Sequence, residues 1–143
     1  MPDVLIAADA PWVIDEVRAA LTEPDVTVRE VHAGRDVVPA VRERKPDIVV
    51  LDLQIGSMGG MATCLELRLE EGAGRLPDVA VLMLLDRRAD VFLARRAQAD
   101  GWVVKPLDAI RLRRAIRTLL DNGTYEDESY RPPDVTAAAS SSP

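Results

Sequence analysis

Five short, almost wholly apolar runs, each followed by residues in helical spacing, constrain this chain more than any other feature. Val4-Leu5-Ile6-Ala7-Ala8 leads to Pro11 at a helix start and then to Val13, Ile14, Val17, Ala20 and Leu21 on one helical face. Val26 to Val31 alternates with period two before Val37, Val38 and Val41, and Lys45-Pro46 stops the helix that they define. Ile48-Val49-Val50-Leu51-Asp52-Leu53 passes through the turn Gly56-Ser57-Met58-Gly59-Gly60 into a helix from Met61 to Glu71. The fourth unit is Val79 to Leu85 with Val91, Phe92, Ala94 and Arg95. The fifth is Gly101-Trp102-Val103-Val104 with the helix from Leu107 to Leu120.

A strand with one wet face alternates apolar and polar residues, whereas runs this continuous belong to strands covered on both faces. The expected architecture is therefore α/β: a flavodoxin-like (βα)5 doubly wound parallel sheet in strand order 2-1-3-4-5, joined by right-handed crossovers. An eight-fold barrel needs about 250 residues, and the chain has 143. After Asp121-Asn122-Gly123, a helix stop, come Tyr125-Glu126-Asp127-Glu128, Arg131-Pro132-Pro133 and an Ala/Ser stretch to Pro143. The folded unit is expected over residues 1–121, with 122–143 an extended low-complexity acidic, Pro, Ala and Ser tail.

Several function classes fall away. The longest apolar run, Val79 to Leu85, has seven residues, far short of the roughly 18 that span a bilayer. Met1-Pro2-Asp3 lacks the basic region of a secretion signal, so the cytoplasm is expected, with contact to a membrane only through a partner. One cysteine and one histidine, Cys64 and His32, cannot assemble a zinc or iron–sulfur site. Cys64 reads as buried filler and His32 as a surface residue, while Trp12 reads either as a rim residue over the acidic site or as an ordinary hydrophobic contact, the second being preferred. The Asp9-Ala10-Pro11 turn offers few backbone donors to cradle a phosphate, which ranks a flavin- or nucleotide-binding protein last.

The chemistry gathers at strand ends. In open parallel sheets ligands bind beyond the carboxyl ends of the strands, at the switch between strands 1 and 3. Asp9 and Asp52 fall there, and Lys105, one of only two lysines, ends strand 5 before Pro106. With the segments Val4 to Pro11, Pro46 to Leu53, Gly56 to Gly60 and Gly101 to Pro106, this makes the chain resemble the receiver domain of two-component response regulators, the CheY-like family, over about residues 3–120. The resemblance implies that Asp52 is the phosphoacceptor and Lys105 the lysine that contacts the phosphoryl group. It implies a Mg²⁺ site of Asp9, Asp52 and the Gln54 backbone carbonyl, and switch positions at Leu85 and Trp102. A carboxylate attacks a phosphoryl donor in line while Mg²⁺ and an ammonium neutralise the transferring oxygens.

Two residues depart from that pattern. Ala8 stands where the family usually has its first acid, which predicts a weakened Mg²⁺ site. Leu85 stands where the family has a Thr or Ser, which removes a charge-assisted bond of roughly 1.5–3 kcal/mol to the phosphoryl group. The connection Asp86-Arg87-Arg88-Ala89 is also short, and fixed packing is favoured over a mobile switch for Trp102.

Charge is unevenly distributed: the formal net charge is −6, yet residues 86–120 carry nine basic and four acidic side chains. The resemblance makes the fourth helix, fifth strand and fifth helix a dimer or partner surface, here an arginine face of Arg95, Arg96, Arg111, Arg113, Arg114 and Arg117 over which the acidic tail can lie. A nucleic-acid partner is disfavoured by the net charge and because no DNA-binding domain is expected after residue 120. The chain is thus expected to be an atypical receiver without an output domain, not an enzyme, acting through protein binding and largely independent of phosphorylation. It is similar to actinobacterial orphan receivers, a group that includes an accessory subunit of a respiratory complex, which implies a large assembly as partner. The alternative is a single-domain phosphoacceptor relay through Asp52; a homodimer is open to both.

Overall fold

The computed structural model describes residues 2–127. Its chain order is β1 (Asp3–Ala7), α1 (Pro11–Ala20), β2 (Thr27–Val31), α2 (Val37–Glu43), β3 (Ile48–Asp52), α3 (Gly60–Gly72), β4 (Ala80–Leu85), α4 (Val91–Arg96), β5 (Gly101–Val104), α5 (Ala109–Leu120) and β6 (Tyr125–Glu126). All strand pairs are parallel, in the order β2-β1-β3-β4-β5-β6. The first five strands follow the order the sequence predicts. No helix among the described residues is long and apolar enough to cross a membrane.

The continuous apolar runs have the cause expected of them. Every residue of β3 is buried, because α1 and α5 cover one face of the sheet while α2, α3 and α4 cover the other. Helix α5 presents Leu112, Ala115, Ile116 and Leu119 to the sheet at positions i, i+3, i+4 and i+7, beside Val13, Ile14 and Val17 of α1. Its start is capped by Asp108, whose carboxylate accepts from the backbone N–H groups of Ile110 at 2.7 Å and Arg111 at 3.3 Å. The β4–α4 connection carries a 3-10 turn at Arg88–Asp90, and α4 has six residues.

Two features lay beyond sequence reasoning. The first is Arg68 on α3, which donates to Glu71, to the carbonyls of Val79 and Gln98, and to Asp100 at 2.8 Å. Asp100 also accepts from Val81 N–H, so one guanidinium ties α3 to the starts of β4 and β5. The second is β6. The sequence reading ends the folded unit at residue 121, but Tyr125 and Glu126 add a strand to the sheet, and Asp127 is 2% exposed. The turn that delivers it rests on Asn122 in the left-handed region, with Gly123 N–H donating to Thr118 O. The remaining tail residues, 128–143, lie outside the described residues.

Packing makes two glycines of α3 opposites. A Cβ on Gly60 would lie 2.7 Å from both Asp52 O and Leu53 Cα, whereas one on Gly72 would meet nothing within 4 Å. Gly60→Ala should lower unfolding free energy by about 1–3 kcal/mol through overpacking, while Gly72→Ala should leave it within about 0.5 kcal/mol, both read by urea denaturation. Cys64 is buried, its thiol contacting Ala97 O at 3.2 Å, and burial pushes its pKa up to about 11 from 9.0. The unfolded thiol therefore ionises first, and stability should fall as pH rises from 9 towards 11 by an amount that Cys64→Ser removes. Urea melts of both proteins across that range check it.

Candidate functional site

The site is built at the carboxyl ends of β1, β3, β4 and β5. Asp52 is the last residue of β3 and is 1% exposed. A carboxylate so placed has to be hydrogen-bonded or paired. Lys105, one residue beyond β5, supplies the pair: its Nζ lies 2.8 Å from Asp52 Oδ1. Gln54 N–H donates to the same oxygen at 3.2 Å as the chain turns away from β3.

The lysine has a second partner that sequence reasoning missed. Asp86, immediately after Leu85 at the end of β4, accepts from Lys105 Nζ at 2.8 Å. The ammonium is held between two carboxylates, with its side chain 10% exposed. Burial works against its charge, yet the hydrogen bonds it donates to Asp52 and Asp86 outweigh that and hold its pKa above the ordinary lysine range. Asp86 could have been found from its register, because β4 and β5 end side by side, Leu85 opposite Val104.

The other expected residues lie around this core. Asp9 is exposed and accepts from Gly56 N–H at 2.9 Å, and a Cβ at Gly56 would sit 2.8 Å from that carboxylate oxygen and make it shift. Gln54 is exposed, while Ala8 and Leu85 are fully buried. Trp12 differs from expectation: it is 53% exposed, and Lys105 Nζ lies 5.4 Å from its ring centroid, so it forms a rim over the site. Trp102 is 5% exposed with the Arg95 guanidinium 5.3 Å from its ring.

These residues suit Mg²⁺ poorly. The ion needs near-octahedral oxygen ligation at about 2.0–2.1 Å. Here one oxygen of Asp52 faces an ammonium, Ala8 brings no carboxylate, and Asp9 is engaged by the Gly56 amide. No cluster of three or more acidic, His or Cys side chains that could hold a metal is found among the described residues.

The arginine face is largely engaged within the molecule. Arg111 pairs with Asp127 and donates to Val104 O and Pro106 O. Arg95 reaches Glu126 at 3.5 Å, Arg113 donates to Ala20 O at 3.2 Å, and Arg117 pairs with Glu23. Arg96 and Arg114 are exposed and stand in no ion pair among the described residues. His32 is on the surface, 3.0 Å from Glu30.

Comparison with known proteins places this geometry in context. The response regulator receiver domain matches residues 4–117. The chain is 28% identical over 128 residues to the transcriptional regulatory protein AfsQ1 of Streptomyces coelicolor, covering 88% of this chain and 54% of that protein. It is 26% identical to protein PilH of Pseudomonas aeruginosa, covering 84% of this chain and 98% of that one. It thus spans about half the length of the first relative and nearly all of the second. A solved two-component response regulator of the LuxR family from Aurantimonas superposes with a TM-score of 0.75 at 26% identity, covering 95% of this chain and 93% of that one. With the sheet order and the Asp52–Lys105 pair in place, the chain belongs to the response regulator receiver domain family.

Proposed function

We propose that this receiver acts chiefly by binding protein, as an accessory module of a larger assembly, and that its state is set largely without phosphorylation of Asp52. The observation that carries the reading is the double clamp on Lys105. An incoming phosphoryl group would have to draw the ammonium away from Asp86 and would itself lie beside that carboxylate. Like charges about 4 Å apart repel by roughly 4 kcal/mol at an effective dielectric near 20. Leu85 offers no hydroxyl in compensation, and Ala8 offers no acid to hold a cation. The relay reading draws on the same site, since Asp52 and Lys105 stand together as a phosphoacceptor and its lysine would.

Intact-mass analysis after incubation with Mg²⁺ and acetyl phosphate separates the two. We expect no gain of a phosphoryl group in the wild-type chain; a gain that disappears in Asp52→Asn would establish the relay. The metal can be tested separately. Ala8→Asp should tighten Mg²⁺ binding by about one to two orders of magnitude, because it restores a nearby anionic oxygen, as read by isothermal titration calorimetry. Unchanged affinity would show that the Lys105 clamp, rather than the missing acid, limits the metal.

A further inference from the structure

We propose that Asp86 is a lock on a phosphoacceptor that is otherwise able to react. This one carboxylate stands where the phosphoryl group of a small donor would meet Lys105, and removing its charge opens the site. The proposal rests on the reading that Asp52 goes largely unphosphorylated in the wild-type chain, and deepens it by naming the residue that sets that state.

The nucleophile itself is available. Both hydrogen bonds that the Asp52 side chain accepts among the described residues, from Lys105 Nζ at 2.8 Å and from Gln54 N–H at 3.2 Å, end on Oδ1. Its Oδ2 takes neither. No buried side-chain oxygen among the described residues lacks a partner, so Oδ2 is open to the site rather than sealed in the core.

Lys105 is the group that is occupied. An ammonium has three protons to donate. One goes to Asp52 and one to Asp86, also at 2.8 Å, and the Trp12 ring lies 5.4 Å from Nζ. Exposure orders the three side chains outward, from Asp52 at 2% through Lys105 at 10% to Asp86 at 34%. Asp86 therefore stands on the solvent side of the ammonium, the side from which a phosphoryl group would come, and meets it with a negative charge.

No other contact accounts for Asp86. Among the described residues its carboxylate accepts from Lys105 alone. The neighbouring Arg87 is turned away to Asp90, which also accepts from Arg87 N–H. Substituting Asp86 breaks no further bond and leaves Asp52 and Lys105 paired, so no buried charge is stranded. Ala8 and Leu85 differ from it in kind: they withhold favourable groups, whereas Asp86 supplies an unfavourable one that a single substitution lifts.

In the locked reaction an oxygen of Asp52 attacks the phosphorus of acetyl phosphate. The bond from phosphorus to the acetyl oxygen breaks, acetate leaves with its electron pair, and an aspartyl phosphate remains. The incoming oxygens are negative, and Lys105 neutralises them only with the proton it now gives to Asp86.

The test compares the full wild-type chain with Asp86→Ala, Asp86→Asn and Asp86→Glu, each incubated with acetyl phosphate in magnesium buffer and followed by intact mass. The two neutral variants should gain one phosphoryl group at least about tenfold faster than wild type, because a like charge about 4 Å away acts that strongly even when much of it is screened. Asp52→Asn added to either should abolish the gain, and Asp86→Glu, which keeps the charge, should stay as slow as wild type. A second readout needs neither phosphate nor metal. The chain has only two lysines, and exposed Lys45 is the internal reference. On brief treatment with N-acetoxysuccinimide, the neutral variants should acetylate Lys105 at least about threefold faster than wild type does, the factor expected from losing an ion pair at the edge of the site.

If circular dichroism shows that Asp86→Ala does not fold, Asp86→Asn, which keeps the side chain's size, carries both measurements. Neutral variants labelled no faster than wild type, a gain confined to Asp86→Ala when both fold, an equal gain in Asp86→Glu, labelling that survives Asp52→Asn, or unchanged acetylation of Lys105 would each overturn the lock. Labelling of the wild type at Asp52 would overturn the reading beneath it, while the lock would stand if the neutral variants were still tenfold faster. The two therefore fail separately.

Discussion

A carboxylate at the end of a strand covered on both faces has to be answered by a cation, and the rest of this structure is arranged around that requirement. Asp52 closes β3, every residue of which is buried, and its answer arrives from Lys105 at the far end of β5. The two meet only because β3, β4 and β5 run parallel in one register and end in one layer. Removing one member of such a buried pair typically costs about 3–5 kcal/mol, because the survivor is left uncompensated. The sheet order and the site are therefore a single constraint. Asp86 adds a second anion to the same ammonium, which fixes the lysine from the β4 side as well.

The same logic recurs at the other end and at the edge of the sheet. Arg68 answers Glu71 and Asp100 where β4 and β5 begin, and Arg111 answers Asp127 where β6 leaves. Each ion pair sits where an apolar layer gives out and backbone groups would otherwise be left unpaired. Among the described residues no buried side-chain nitrogen or oxygen lacks a partner. The arginines that dominate residues 86–120 thus divide between four that tie elements together, Arg95, Arg111, Arg113 and Arg117, and others, Arg96 and Arg114 among them, that face solvent.

Much of this was legible in the sequence because burial on both faces writes itself as an uninterrupted apolar run. Val4 to Ala8, Ile48 to Leu53 and Val79 to Leu85 could hardly be read otherwise, and Asp52 stood out as the acid that broke such a run. Lys105 was conspicuous because lysine is scarce. What escaped notice had no periodicity to display. Strand β6 is two residues long, and its seat depends on a missing Cβ at Gly101, a property of tertiary approach rather than of pattern. Asp86 read as one charge among several in a short connection, although its place directly after Leu85 put it in the layer of Asp52 and Lys105. For Trp12 the preferred of two readings was the wrong one for a related reason: an indole at a helix start can as easily cover a cation as fill a core, and only the position of Lys105 decides between them.

The two indoles occupy opposite circumstances, and that gives the molecule a pair of natural optical probes. Trp12 stands at the solvent rim beside the Lys105 ammonium, whereas Trp102 is enclosed under Arg95 at the β5 edge. With only two tryptophans in the chain, substituting either to phenylalanine leaves a single emitter. From their exposure, Trp12 is expected to emit to the red and be open to aqueous quenchers, and Trp102 to emit to the blue and be shielded from them. Events at the acidic cluster and events at the sheet edge can therefore be followed separately in one unlabelled polypeptide.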